Sequence, residues 1–345
     1  MRTVLFRAGD YGYDNFRIPA ILALPENRIL AICEGRSAMS DTGRIHIVAR
    51  ISRDNGKTFD SKFLVARDGE NTVGNPCPVF DKETGIIWLF LTWNAGSTNE
   101  HEIIHNNGKR RVLLTRSEDL GETWTPPEDM TSSLSKSNWT WYATGPCHGL
   151  QMKSGRLIVP CDHIVWPLIE NEVSRTYSSH IIYSDDHGKT WRIGGDLNPT
   201  TNECCVAEAK DGLLYMTVRR IPGNGLRGFS TSDDSGLTWT QVMDTDIPDP
   251  VCQGSVIAGS AAGKNGFCPL YLANSSDKKE RRNLTLRTSG DGGKTWQIKK
   301  VIEEGFSAYS DLALLDDRHL ACFFEAGGNS QKPYAEIALE IIDIK

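Results

Sequence analysis

The sequence predicts an all-β fold, a six-bladed β-propeller of four-stranded antiparallel blades, and two interleaved repeats predict it. The first is an octapeptide, Ser-x-Asp-x-Gly-x-Thr-Trp/Phe, found five times, at residues 52–59, 117–124, 184–191, 232–239 and 289–296. The second is a hairpin pattern, an apolar stretch, a polar turn and another apolar stretch, found six times. Successive octapeptides start 65, 67, 48 and 57 residues apart, which leaves room for roughly four strands per unit, the period of a radially repeated β-fold.

Each octapeptide reads as a tight turn between two strands. Its Asp side chain can accept hydrogen bonds from backbone N–H groups just ahead of it. The Gly, four residues after the Ser, takes a positive φ at little cost. The closing Trp or Phe starts the next strand and packs on its own blade. These boxes are scaffold, with each Asp spent on its own turn. The hairpins turn at Pro25-Glu26-Asn27, 81–85, Lys153-Ser154-Gly155, Lys210-Asp211-Gly212, 259–266 and Asp316-Asp317-Arg318. Their returning strands read RILAICE, IIWLFLTW, RLIVPC, LLYMTVR, FCPLYLA and HLACFFE, the apolar, β-rich runs of strands buried on both faces. One box follows each of the first five hairpins. Only the strand 336–343 follows the sixth, so the two chain ends share the last blade. Residues 1–345 are expected to form one domain, because each blade packs only on its neighbours and escapes the usual size limit of a single core.

Composition narrows the function classes. A formal net charge of −6 argues against a nucleic-acid partner. The nine cysteines show no C-x-x-C pair and sit mostly in apolar strand patterns, as buried free thiols do. That favours a reducing compartment. The start, MRTVLFRAGDYG, has no apolar leader; a chain trimmed of one would read the same, so a cytoplasmic and a secreted or periplasmic location both stay open. The longest apolar run, 86–93, is too short to span a membrane. Asn138, Asn274 and Asn283 head glycosylation sequons.

The hairpins also locate the site. A hairpin sets its first and last residues side by side, opposite its turn. Arg17 then meets the Arg36 region, Asn75 meets Trp93, and Gly145 meets Asp162. Glu203 meets Arg219, Gln253 meets the 274–282 region, and Tyr309 meets Glu325. In a propeller these six open ends converge around the central axis on one face. Arg and Glu that close buried strands are costly unless they pair or bind something. The alternative to a site is a ring of ion pairs plugging the channel.

Several of these segments carry a resemblance. Phe16-Arg17-Ile18-Pro19 resembles the FRIP/YRIP motif of exo-α-sialidases (neuraminidases), and the five boxes are similar to that family's Asp boxes. Glu34-Gly35-Arg36 followed by Asp41 resembles its acid/base loop. Asn75-Pro-Cys-Pro-Val, Gly145-Pro-Cys-His-Gly, Glu203-Cys-Cys-Val-Ala-Glu, Cys252-Gln-Gly-Ser, Arg281-Arg-Asn-Leu-Thr and Ala308-Tyr-Ser-Asp-Leu resemble further family blocks. The resemblance runs from about residue 6 to about residue 343. It implies hydrolysis of terminal α-linked sialic acids by a retaining mechanism, without metal or organic cofactor, on sialylated glycans. The implied carboxylate clamp is Arg17, Arg219 and Arg281, the first of each Arg-Arg pair where there is one. Guanidinium forks suit carboxylates. The implied nucleophile is Tyr309, a neutral phenol that the substrate's own carboxylate does not repel. Glu203 is its implied base and Asp41 the acid/base. A base and a cationic field beside Tyr309 are expected to favour its ionised form. Glu325 orients the first arginine, Arg36 adds a substrate contact, and Asn75, Asp162 and Gln253 are candidate contacts to the glycerol or acetamido arms.

Two other functions stay open at this point. Trans-sialidases, including intramolecular ones, share such a site and differ in the acceptor, which sequence does not disclose. A non-catalytic glycan-binding propeller would keep the boxes, yet Tyr309, Glu203 and Asp41 are all present. His101-Glu102-Ile103-Ile104-His105 matches H-E-x-x-H, a metalloprotease motif that works only on a helix. It is expected in a polar loop here, which argues against that chemistry.

Overall fold

The computed structural model describes residues 2–197, 199–263, 265–328 and 332–345. The chain is all-β: helix among these residues is confined to one- or two-turn segments, Glu100–Ile104 and Thr131–Leu134 being the α-helical ones. The strands form four hydrogen-bonded sheets. One runs Asn15–Leu24, Arg28–Arg36, Ile45–Ser52, then Thr72–Phe80, Ile87–Asn94, Arg111–Ser117, Glu128–Asp129, with Phe63–Ala66 beside Ile45–Ser52. Its two halves touch through a single parallel bridge, Ile45 to Thr72. A second is also two groups, sharing the long strand Gln297–Leu314: its first part pairs with Arg282–Ser289 and its last part with His319–Ala326. Arg2–Arg7 completes that sheet by pairing with Glu336–Asp343, so the two chain ends share one strand group, as expected.

The expected hairpins are present with their turns where the polar residues lie, except the third. Its first strand is broken into Trp139–Thr144 and Leu150–Gln151. Gly145 adopts φ 68° and Pro146 offers no N–H donor, so the chain leaves the ladder there. The Gly149 amide donates instead to the Pro78 carbonyl of the neighbouring hairpin at 2.7 Å, and the ladder resumes at Leu150 opposite Ile158.

The first strands of the groups pack on one another in succession, and Asn15–Leu24 packs on Gln297–Leu314 to close the circuit. Apolar layers fill the spaces between neighbouring groups: Ile21 and Ile29 meet Phe323 and Leu339, Ile32 and Ile47 meet Leu89 and Leu91, and Leu284 and Leu286 meet Phe324 and Ala338. Strands buried on both faces therefore read as continuous apolar runs, with no alternation. All nine cysteines are buried free thiols. Asn274 is buried, its Nδ2 donating to the Pro248 carbonyl at 2.8 Å, so its sequon is closed to a glycan.

The five boxes share one geometry. In the third, Ser184 Oγ donates to Asp186 Oδ1 at 2.8 Å, the Gly188 amide donates to Ser184 Oγ at 2.8 Å, and Thr190 donates to Asp186 from its amide and its hydroxyl. Gly188 sits at φ 80° and Trp191 Nε1 donates back to its carbonyl. The hydrogen bonds from Thr58 and Thr190 hold Asp54 and Asp186 down to about 2. Each carboxylate is consumed by its own turn, far from any pocket.

At the end opposite the turns, five of the six first strands carry a register shift. The ladder slips between Arg17 and Ala20, Gly74 and Cys77, Trp139 and Tyr142, Thr201 and Cys204, and Ser307 and Ser310. Bulges re-aim side chains at the rims of sheets. Ile18 inside the first has φ 59° and Asn75 inside the second has φ 53°. For a β-branched residue that conformation is a true outlier, held only where the surroundings over-determine it.

Candidate active site

The bulged strand ends surround a pocket of about 360 Å³, lined by Arg17, Arg36, Asp41, Asn75, Asp162, Glu203, Arg219, Arg281 and Tyr309 among others. Tyr309, 6% exposed, donates from Oη to Glu203 Oε1 at 2.5 Å. Arg219 Nη1 donates to the other oxygen of Glu203 at 2.7 Å and to Tyr309 Oη at 3.1 Å. The Arg17 and Arg281 guanidiniums lie 5.3 Å and 5.5 Å from the Tyr309 ring centre. Burial, then the Glu203 charge, push the Tyr309 phenol well above its ordinary value, and Arg219 and Arg281 only partly offset them. The expectation that the cationic field favours the ionised phenol is thereby corrected. At rest the Tyr309 hydroxyl is neutral and is the donor in its bond to Glu203.

Behind the pocket, Glu325 is fully buried. Its Oε1 accepts from Arg17 Nε at 2.6 Å and from the Ile18 amide at 2.9 Å, and its Oε2 accepts from the Tyr309 amide at 3.1 Å. One carboxylate thus fixes the strained Ile18, the first arginine and the tyrosine's backbone. Burial lowers the Arg17 pKa, but Glu325, Tyr334 and Tyr309 together outweigh it and hold the guanidinium ionised. Arg281 Nη1 donates to Tyr334 Oη at 2.9 Å, and Tyr334 in turn lies under the Arg17 guanidinium at 3.9 Å.

On the opposite wall, Glu34 joins the first two hairpins. Its Oε1 accepts from the Asn75 amide at 2.7 Å, and its Oε2 from Arg36 Nε at 2.7 Å. Arg36 Nη1 donates to Asp41 Oδ1 at 2.6 Å. The Asp41 side chain is 62% exposed at the mouth. Partial burial pushes its carboxyl up, but the Arg36 and Arg17 charges outweigh that and hold it below the ordinary range. Asn75 Oδ1 accepts from Arg110 Nη2 at 2.7 Å and from Thr92 Oγ1 at 3.0 Å. Asp162 Oδ1 accepts from Asn202 Nδ2 at 3.1 Å.

Gln253 and Glu325 do not line the pocket. Gln253 is buried outside the pocket lining, because its amide is committed to backbone: Nε2 donates to the Pro146 and Ser310 carbonyls and Oε1 accepts from the Ser310 amide. Glu325 stands behind Arg17 and acts through it. Arg220 and Arg282 point away, toward Asp244 and Glu280, so the first residue of each pair lines the pocket. The H-E-x-x-H segment is a helix after all, Glu100–Ile104, capped by Asn99. Glu102 Oε2 accepts from the Asn99 amide, and His105 Nδ1 meets the His101 carbonyl at 2.8 Å, so those side chains serve the helix itself. What the helix brings to the pocket is Glu100, which accepts from Tyr177 Oη at 2.9 Å.

The sequence profile of the BNR repeat-like domain matches residues 27–322, most of the chain. This chain belongs to the sialidase family of BNR repeat-like proteins. Among curated relatives it is similar to a sialidase of Bacteroides fragilis, 29% identical over 92% of this chain and 61% of that protein. It is also similar to sialidase-3 of the mouse, 29% identical over 96% of this chain and 92% of that one. It therefore spans nearly the whole mouse relative but well under two thirds of the bacterial one. Among solved structures, the Hadza microbial sialidase Hz136 superposes with a TM-score of 0.88 at 28% identity, covering all of this chain and 68% of that one.

This sialidase-family pocket also contains residues that sequence reasoning missed: Glu34, Met39, Glu100, Arg110, Trp141, Tyr177, Asn202 and Tyr334. Arg110 had a local signal, since Arg110-Arg111 is a third Arg-Arg pair, and Glu34 stood in the quoted Glu34-Gly35-Arg36 segment without a role of its own. Arg110 Nε donates to the Tyr142 carbonyl and its guanidinium stacks 4.2 Å from the Trp141 ring, while Arg111 lies 45% exposed beside Asp129. A second pocket, about 420 Å³, lies between the first strands on the turn side and is lined by Ile21, Phe80, Leu150, Ala258 and Leu312. His148, on its wall, meets Asp311 at 2.6 Å. Burial lowers that imidazole, the Asp311 charge and hydrogen bond together with Cys205 outweigh it, and the group is pushed up to about 9. Glu208, also on this wall, is committed to the Lys153 and Gly212 amides, and no guanidinium lines this pocket.

Proposed function

We propose that this chain is a retaining exo-α-sialidase that releases terminal α-linked sialic acids from glycoconjugates, built as one six-bladed propeller domain over residues 1–345. The single observation that carries the reading is the Tyr309–Glu203 hydrogen bond set beside three guanidiniums, Arg17 buried and Arg219 and Arg281 half-buried. Six strand groups, a closed circuit of first strands and a shared terminal group support the propeller.

Arg17, Arg219 and Arg281 bind the substrate carboxylate, at ~1.5–3 kcal/mol per charged hydrogen bond. Tyr309 Oη attacks the anomeric carbon and forms the covalent sialyl-tyrosine bond while its proton passes to Glu203 Oε1. The glycosidic C–O bond breaks, and Asp41, which first takes a proton from solvent at the exposed mouth because Arg36 and Arg17 hold its resting carboxyl ionised, gives that proton to the leaving oxygen. In the second half Asp41 takes a proton from water, the water oxygen bonds the anomeric carbon, the C–Oη bond breaks, and Glu203 returns the proton to the phenolate. Asp41 is suited to both halves because it stands at the exposed mouth, where leaving group and water pass. A carboxylate in the place of Tyr309 would face the substrate's own carboxylate; a phenol does not. Hydrolysis of a fluorogenic α-sialoside tests the activity. NMR of the first product, with and without added lactose, tests retention and shows whether water is the acceptor. No release of the fluorophore overturns the reading.

A further inference from the structure

Asp162 has no place in that reaction, and its surroundings are unusual for a carboxylate. It sits on Leu157–Val165 with no exposed surface, on the pocket wall. Its Oδ1 accepts one hydrogen bond, from the Asn202 amide. Its Oδ2 is buried without a partner, and among the described residues it forms no ion pair. Facing it are the carboxylates Glu203 and Glu100, the guanidiniums Arg219 and Arg110, and the neutral Tyr142, Tyr177, Cys161 and Cys204. The neighbouring His163 pairs with His180 and is held neutral by burial, pushed down to about 3. An ionised carboxylate with one bare buried oxygen carries a desolvation cost of several kcal/mol that nothing here offsets.

We propose that Asp162 is a positioning residue carried as the neutral carboxylic acid, which leaves Glu203 as the only anion at the base of the nucleophile and keeps the pocket net cationic toward an anionic ligand. Its Oδ1 steadies Asn202, and Asn202 adjoins Glu203 on Thr201–Lys210. Arg17, Arg36, Arg110, Arg219 and Arg281 face Glu34, Asp41, Glu100 and Glu203 across the lining. A fifth charge on Asp162 would cancel the excess that holds a carboxylate. Burial and Glu203 both raise the Asp162 carboxyl. The neutral form is therefore favoured in the folded state, and ionisation with rising pH weakens ligand binding.

The proposal deepens the sialidase reading, and its test has an arm that does not depend on that reaction. Asp162→Asn keeps an acceptor for Asn202 and cannot ionise. The readout is the shape of its pH profile and the split between KM and kcat, not its rate at neutral pH. The parent's decline at high pH, carried by KM, should be absent from the variant. A variant that melts like the parent and keeps the parent's basic limb overturns the proposal. Carboxyl-labelled aspartate NMR on the parent protein is the second measurement and serves even if the variant does not fold. A protonated aspartic acid resonance at pH 7 is expected; none, with every Asp ionised, refutes the proposal whatever the enzyme's substrate.

Discussion

Glu325→Gln tests whether one buried carboxylate organises the nucleophile and the carboxylate clamp together. Glu325 accepts from Arg17 Nε, the Ile18 amide and the Tyr309 amide at 2.6, 2.9 and 3.1 Å, with no exposed surface. Glutamine keeps the shape and one acceptor oxygen. Its NH2 then faces the Tyr309 N–H, donor against donor, and the Arg17 cation is left buried without its counter-ion. Removing one partner of such a pair costs ~3–5 kcal/mol, and urea unfolding should show a loss of at least about 3 kcal/mol. The clamp and the nucleophile shift together, so kcat/KM should fall by ~100-fold, the equivalent of about 2.7 kcal/mol. A double-mutant cycle with Arg17→Met separates the causes. If Glu325 acts through Arg17, the double variant loses little more activity than Arg17→Met alone. Additive losses, or a single variant within 0.5 kcal/mol and threefold of the parent by the usual surface standard, would refute this account of Glu325.

The remaining predictions concern the reacting groups. Arg219→Ala and Arg281→Ala should each lower kcat/KM by at least ~100-fold through lost carboxylate contacts, whereas Arg220→Ala and Arg282→Ala should change it little; equal losses within either pair would contradict the register. Asp41→Ala should harm natural sialosides far more than an activated aryl sialoside, because a general acid matters most for a poor leaving group, and uniform loss would point to binding or folding instead. A 3-fluoro-sialyl fluoride should leave a covalent adduct that peptide mapping assigns to Tyr309, and Tyr309→Phe should fold, bind ligand and form no adduct; a label on Asp41 or Glu203 would exclude the tyrosine mechanism.

The strand plan was legible because its determinants are local. The box geometry needs only a Ser, an Asp, a Gly and a Thr at fixed offsets, and the apolar runs mark strands buried on both faces whatever they pack against. The third hairpin failed where a glycine at positive φ and a proline lay inside an apolar pattern, a break the pattern reported as continuous. The helix at Glu100–Ile104 was missed because five residues give too little periodicity to register, although Asn99 and Glu102 have the spacing of a capping box. The phenol of Tyr309 was misjudged because sequence supplies the sign of nearby charges but not the burial that outweighs them.

Site residues were legible in proportion to their place on the hairpins. Arg17, Glu203 and Tyr309 lie at or beside register shifts in first strands, and Arg219 and Glu325 stand opposite in the returning strands, so pairing rules alone brought them together. Glu100 reaches the pocket from the short helix, Trp141 and Tyr177 from the strands Trp139–Thr144 and Tyr177–Ser184, and Tyr334 from a turn, where neighbours in space are set by packing that no short-range pattern encodes. The three Arg-Arg pairs show where the two regimes meet. In each, one guanidinium enters the pocket and the next residue turns to solvent or a surface carboxylate, because successive side chains on an extended chain point to opposite faces. Alternation says that one member faces inward; only the bulge-set register says which. A single-residue slip of Leu213–Arg220 would bury Arg220 and expose Arg219, breaking the contact with Glu203 and Tyr309. The apolar layers flanking that strand, which the same slip would turn outward, therefore hold the catalytic register as well as the fold.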